Sequence, residues 1–204
     1  MAEEDTSPKI TKSGKKLVQA ILGTLLYYFH NINNKILVGL SAIGAQQSAA
    51  TKKNTAAIDQ ILDHVATYTN NGITHRTIDI VLAAHSYDGF NKDSKSWSHA
   101  GDHIFLSEDT QTPKWNGAVL TIAQIIKFVM LSAAEAEIGA LYITAKEMIP
   151  VHQIIIEMVW KKPPYPIQTD ELTSEGVINN TIMQHKRKSM DLHFHWLRSI
   201  IFRG

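Results

Sequence analysis

The hydrophobic period of this chain changes at Gly72, and the change limits what it can fold into. Before Gly72, apolar residues recur every three or four positions, as on one face of a helix. Leu17, Val18, Ile21, Leu22, Leu25, Leu26 and Phe29 form the first such face, and Asn31 to Asn34 read as a turn. Lys35 to Ala45 is a second apolar run, weakened as a helix by Gly39 and Gly44. Thr51 can cap a third helix with Ala57, Ile58, Ile61, Leu62 and Val65 on its face, stopped by Asn70-Asn71-Gly72.

After Gly72 the period shortens to two. Ile78, Ile80, Leu82 and Ala84 alternate with Thr77, Asp79, Val81 and Ala83, which predicts a strand. Residues 90–100 are polar and turn-like, and His103 to Leu106 and Gly117 to Ile122 are further short strands. Pro113 and Asn116-Gly117 between them predict a hairpin connection. Ser132 and Glu135 form a capping box that opens a long helix, which Pro150 should kink or break before Gln153 to Trp160 resumes it. Residues 161–166 (KKPPYP) must be extended. Ile167 to Thr169 reads as a short buried strand, and 173–180 as a helix. Asp191 to Ile201 reads as a final helix with Leu192, His195, Trp196 and Ser199 on one side. This order predicts an α/β layer with a mixed sheet, preceded by a helical unit at about 15–72.

Composition narrows the chemistry. The 204 residues contain no cysteine, which excludes a disulfide framework, a Cys-ligated zinc and a Cys nucleophile. Twenty Lys and Arg against 19 Asp and Glu give a formal charge of +1, so any nucleic-acid contact needs a local patch. Residues 1–14 read as a flexible polar leader rather than a signal peptide. Leu17 to Phe29 falls short of the ~20 apolar residues of a membrane span, so an intracellular protein without a membrane partner is expected.

There is no Gly-rich phosphate loop, no HExxH and no GxSxG. What remains is acidic: Asp88 near the end of the first strand, Glu135 and Glu137 in the first turns of the long helix, Asp170 after the fourth strand, and Asp191 at the last helix. Carboxylates at strand ends and helix starts can converge on one sheet edge and hold Mg2+ or Mn2+, which prefer oxygen ligands. The same acids can instead simply complement helix dipoles. Glu135 and Glu137 diverge by about 200° on a helix, so only one can serve. His185, His193 and His195 have no Cys to complete a zinc site and read as structural or surface histidines. Lys186, Arg187 and Lys188 form a basic run that is either a solvated face or a phosphate contact.

Several linked motifs resemble one family. Ser132-Ala-Ala-Glu-Ala-Glu-Ile-Gly-Ala-Leu-Tyr142 resembles the S-(S/T)-x-E-A-E-x-x-A-L signature of the ribonuclease H domain in copia-type LTR retrotransposon polyproteins. Gln168-Thr-Asp170 with Gly176-Val-Ile-Asn-Asn180 resembles the segment holding that family's third acid. Lys186-Arg-Lys-Ser-Met-Asp191 followed by Phe194-His-Trp-Leu-Arg198 resembles its closing motif. Gly23-Thr-Leu-Leu-Tyr27 resembles the opening of the helical segment that follows the polymerase core.

The resemblance implies a ribonuclease H-like fold at 73–204, with a five-stranded mixed sheet flanked by helices, behind the helical appendage at 15–72. It implies Mg2+-dependent (or Mn2+-dependent) hydrolysis of the RNA strand of RNA/DNA hybrids, with Glu137, Asp170 and Asp191 as metal-holding acids and Lys186, Arg187 and Lys188 along the backbone. Polymerase elements of the polyprotein are further implied partners, while the polymerase palm and its acids lie outside the resemblance.

The first acid departs from the family. In Ala84-His85-Ser86-Tyr87-Asp88-Gly89, ungapped alignment sets Tyr87 at the Asp position, with Asp88 one residue late. A phenol, with a pKa near 10, is a poor Mg2+ ligand. Either a bulge re-aims Asp88, or the site lacks that acid and is impaired. Asp102 stands where the family has Gly, His193 where it has Arg or Lys, and Glu171 where it has Asn. Three readings stand at this point: an endoribonuclease on hybrids, a catalytically inactive relic or binding module of the same fold, and an interaction role for the helical unit.

Overall fold

A computed structural model describes residues 5–89, 97–110, 114–127, 130, 132–159, 165–169, 178–179 and 191–203, with Val159, Asp191 and 201–203 described by backbone alone. Asp170, Lys186, Arg187, Lys188, residues 161–164 and nearly all of the expected helix 173–180 lie outside the described residues.

Three helices open the chain: α1 (Lys12–Asn31), α2 (Leu37–Gln46) and α3 (Lys52–Thr67). The α1 face buries Val18, Leu22, Leu25 and Phe29, leaving Leu17 and Leu26 exposed. Thr51 caps α3 through a box: Asn54 returns its side-chain oxygen to the Thr51 N–H at 2.8 Å. On α3, Ile58 and Ile61 are buried, whereas Leu62, expected on that face, is exposed.

The sheet consists of β1 (Val81–Gly89), β2 (Ser98–Ser107), β3 (Ala118–Ile126) and β4 (Ile167–Thr169), in the order β3-β2-β1-β4. The β1–β2 and β2–β3 pairs are antiparallel and β1–β4 is parallel, so the sheet is mixed as expected. It has four strands among the described residues, not five; between β4 and the last helix only 178–179 are described. β1 starts later than the alternation predicts. Val81 to Ala84 are all buried, the mark of a central strand covered on both faces. β2 begins at Ser98, inside a stretch read as a polar turn, because its polar residues Ser98, Asp102 and Ser107 point into protein.

Helix α4 (Ala133–Val159) crosses one face of the sheet. Ser132 accepts from the Glu135 N–H at its start. Of the kink or break expected at Pro150, the break does not occur: the helix runs through it. The missing N–H removes one backbone bond, and burial of Met148 and Ile155 against Leu82, Ala84 and Ile104 outweighs that loss. Helix α5 (Asp191–Arg203) packs on α4 through Phe194 and Leu197. On the side that carries Leu192, His195, Trp196 and Ser199, Leu192 and His195 are exposed and Trp196 packs against the α4 core.

The helical unit lies against the other sheet face at β3. Ala123 packs into its core, and Asn34 donates to the Thr121 hydroxyl at 3.0 Å. No helix among the described residues is long and apolar enough to cross a membrane.

Candidate functional site

Strand alternation sorts the site residues onto two faces. Leu82 and Ala84 pack with Met148 and Ile155 of α4, so the even positions of β1 face that helix. Ser86 continues the row: the Thr144 hydroxyl of α4 lies 3.1 Å from its own. Asp88 is next, opposite Ala100 of β2, which belongs to the α4 core. The β1–β2 register runs without a bulge from Val81 to Gly89, so Asp88 shares the α4 face by plain alternation. Tyr87 occupies the opposite face, its ring parallel to that of His85 at 6.3 Å.

Glu137 is fully buried. It lies two turns before Thr144 on the same stripe of α4, toward the end of the sheet where β1 finishes. The Thr169 hydroxyl donates to its Oε1. Thr169 pairs with Ser86 in the parallel β1–β4 register and is followed directly by Asp170. The structure therefore brings Asp88, Glu137 and the end of β4 to one edge. Asp170 and the side chain of Asp191 lie outside the described residues, as do Lys186, Arg187 and Lys188. Asp191 is the first residue of α5. Among the described residues no three His, Asp or Glu side chains form a metal-holding group.

One acid was noted only as a departure and is more than that. Asp102 pairs with Ser86 on the α4 face and is 2% exposed. Its two oxygens have no hydrogen-bond partner of proper geometry among the described residues. Burial pushes its carboxyl up from 3.8 to about 7; the Ser86 and Thr144 hydroxyls and the Tyr87 N–H oppose this but are outweighed. A signal was available: Ser98, Ala100, Asp102, Ile104 and Leu106 form one period-two row.

The opposite face carries an aromatic group that sequence reading missed. Trp115 stacks on His85 with centroids 4.1 Å apart and planes 12° from parallel. The buried Phe105 ring is nearly parallel to Trp115 at 5.8 Å. His85 pairs with His103 across the strands. Burial holds both imidazoles below their ordinary range, with the neighbouring His103 adding to the effect at His85, so both are neutral at pH 7. His193 is also lowered by burial, beside the Tyr142 ring, and reads as structural.

No family model matches the chain. Over 85 residues, 42% of its length, it is 28% identical to the Retrovirus-related Pol polyprotein from transposon TNT 1-94 of Nicotiana tabacum, and the match spans 6% of that polyprotein. The structure of the foamy viral protease-reverse transcriptase in complex with RNA/DNA hybrid aligns over 94% of the chain and 26% of its own length, with a TM-score of 0.52 and 12% identity. That likeness is one of fold. A Prototype Foamy Virus protease-reverse transcriptase mutant aligns over 99% of the chain and 25% of its own length at a TM-score of 0.43 and 11% identity. The chain thus spans about a quarter of the viral structures and a small part of the polyprotein. Over part of its length the chain is similar in sequence to a retrotransposon Pol polyprotein, and its mixed sheet with a crossing helix shares the fold of part of a viral reverse-transcriptase structure.

Proposed function

We propose that the chain is the ribonuclease H-like portion of a retrotransposon Pol polyprotein and hydrolyses the RNA strand of RNA/DNA hybrids. One observation carries the reading. Glu137 is fully buried at the edge where β1 and β4 end, it accepts from Thr169, and Asp88 projects on the same face of β1.

The donor chemistry fits hard divalent ions. Glu137, Asp88, Asp170 and Asp191 would hold Mg2+ or Mn2+ through oxygen. When bound, such ions supply positive charge that polarises water and stabilises charge at the scissile phosphate. The protein's own part is positional. The Thr169 hydroxyl holds the Glu137 carboxylate in one orientation, and the packed layer of α4 on β1 excludes water behind it. Lys186, Arg187 and Lys188 would neutralise backbone phosphates.

Asp88 serves as the first acid in this reading, since a side chain at position 87 leaves the opposite face. A second reading keeps the fold and hybrid binding without cleavage. It is favoured by Tyr87, a phenol at the strand position where the resembled family carries its acid.

The test is cleavage of a labelled RNA/DNA hybrid in Mg2+ and in Mn2+ by the wild type, Glu137→Gln and Asp170→Asn. Wild-type cleavage lost in both variants supports the first reading. Unchanged cleavage in Asp170→Asn refutes it, and tight, salt-sensitive binding without product favours the second.

A further inference from the structure

On the sheet face opposite α4, the helical unit covers the β3 end, and the β1–β2 end carries aromatic rings. There Trp115 is 53% exposed while one side of its ring system stacks on His85. Tyr87, 40% exposed, lies beside His85 with its ring parallel to the imidazole. The residue opposite Tyr87 on β2 is Gly101, and a Cβ built there meets nothing within 4 Å among the described residues. The parallel rings therefore border an open shelf rather than a packed core.

The residue after Trp115 is anchored by hydrogen bonds. The Asn116 side chain accepts from the Arg76 N–H at 2.7 Å and donates to the Arg76 and Leu106 carbonyls at 3.2 and 3.1 Å. Its backbone carbonyl lies 3.0 Å from His103 Nε2. Two cations lie on the segments that border Trp115. Arg76 is exposed and its backbone is bonded to the Asn116 side chain, and Lys114 precedes the indole in sequence. Lys114 pairs with Glu108 at 3.0 Å, a solvent-exposed contact worth little and easily exchanged.

Solvent-facing, parallel aromatic planes next to cations are how proteins hold unpaired bases without reading their sequence. We propose that this sheet face binds single-stranded nucleic acid, with unstacked bases lying on Trp115 and Tyr87 and the backbone phosphates drawn to Arg76 and Lys114. The site is separate from the candidate nuclease edge and does not depend on cleavage there.

The experiment measures fluorescence anisotropy of labelled oligo-U and oligo-dT 15-mers with the full chain at low salt. An abasic strand of the same length serves as a control. The variants are Trp115→Leu, Trp115→Phe and Arg76→Ala, with folding checked by circular dichroism and urea midpoint. Trp115→Leu keeps apolar bulk but removes the ring, and should weaken binding roughly tenfold or more, with Trp115→Phe recovering most of it. Arg76→Ala should flatten the salt dependence, and the abasic strand should bind more weakly than either base-bearing strand. Equal affinity for the abasic strand, or for Trp115→Leu and wild type, overturns the proposal. So does a dimer that Trp115→Leu dissociates while neither strand binds, which would make the face an interface between copies.

Discussion

Replacing Asp102 by Asn should change how stability depends on pH. Wild-type Asp102 is 2% exposed and its carboxyl is raised from 3.8 to about 7 in the folded chain. Between those values the folded state keeps a proton that the unfolded chain has lost, so stability falls as pH rises, by about 1.4 kcal/mol per unit. The stabilising neutral form is fully present below pH 3.8, and the loss is complete above pH 7 at about 4 kcal/mol. Asn is isosteric and does not ionise, so this dependence disappears in Asp102→Asn. Urea unfolding of both proteins across pH 5 to 8.5 should show the variant gaining on the wild type by roughly 3 kcal/mol. His85 and His103 titrate alike in both proteins and cancel in the difference. A stability difference that stays flat over this range, or a wild type that stays the more stable at pH 8.5, refutes the assignment of Asp102 as a buried acid that resists ionisation.

Three further outcomes follow from the packing. Pro150→Ala in α4 should restore a backbone bond and raise stability by about 1–3 kcal/mol in urea titration, partly offset by a looser unfolded chain. Gly117→Ala should unseat the segment carrying Arg76, because a Cβ there would lie 2.6 Å from the Thr74 carbonyl oxygen; faster hydrogen exchange at the Arg76 amide would report it. Thr169→Val should leave Glu137 without that hydroxyl donor and lower stability by about 1–3 kcal/mol, read as a drop in urea midpoint.

Much of the fold was legible in the sequence because hydrophobic period reports burial. The α1 face, the Thr51 cap and the Ser132 start of α4 all follow from local pattern. What escaped was set by tertiary context. Ser98 reads as turn and Asp102 only as a departure from the resembled family's Gly, yet β2 carries both under α4. Pro150 reads as a kink or a break, and packing on either side of it keeps one helix. Which residues of α5 meet α4 was not legible: Leu192 is apolar but exposed, while Phe194 and Leu197 are buried there. At the candidate site, Glu137 was named from its motif and is buried beside Thr169. The side on which Asp88 and Tyr87 lie needed the strand register, since a shift of one residue reverses the face. The shelf around Trp115 joins residues from β1, β2 and a connecting segment, which no local pattern could assemble.

The central claim is that this edge is a nuclease site whose β1 acid is Asp88. The most direct measurement compares hybrid cleavage by the wild type, Asp88→Asn and Tyr87→Asp in Mg2+ and in Mn2+. The account predicts a wild type that cuts, an Asp88→Asn that does not, and no gain from Tyr87→Asp, whose new carboxylate points away from Glu137. A silent wild type that Tyr87→Asp switches on would contradict it, as would an Asp88→Asn that cuts at the wild-type rate.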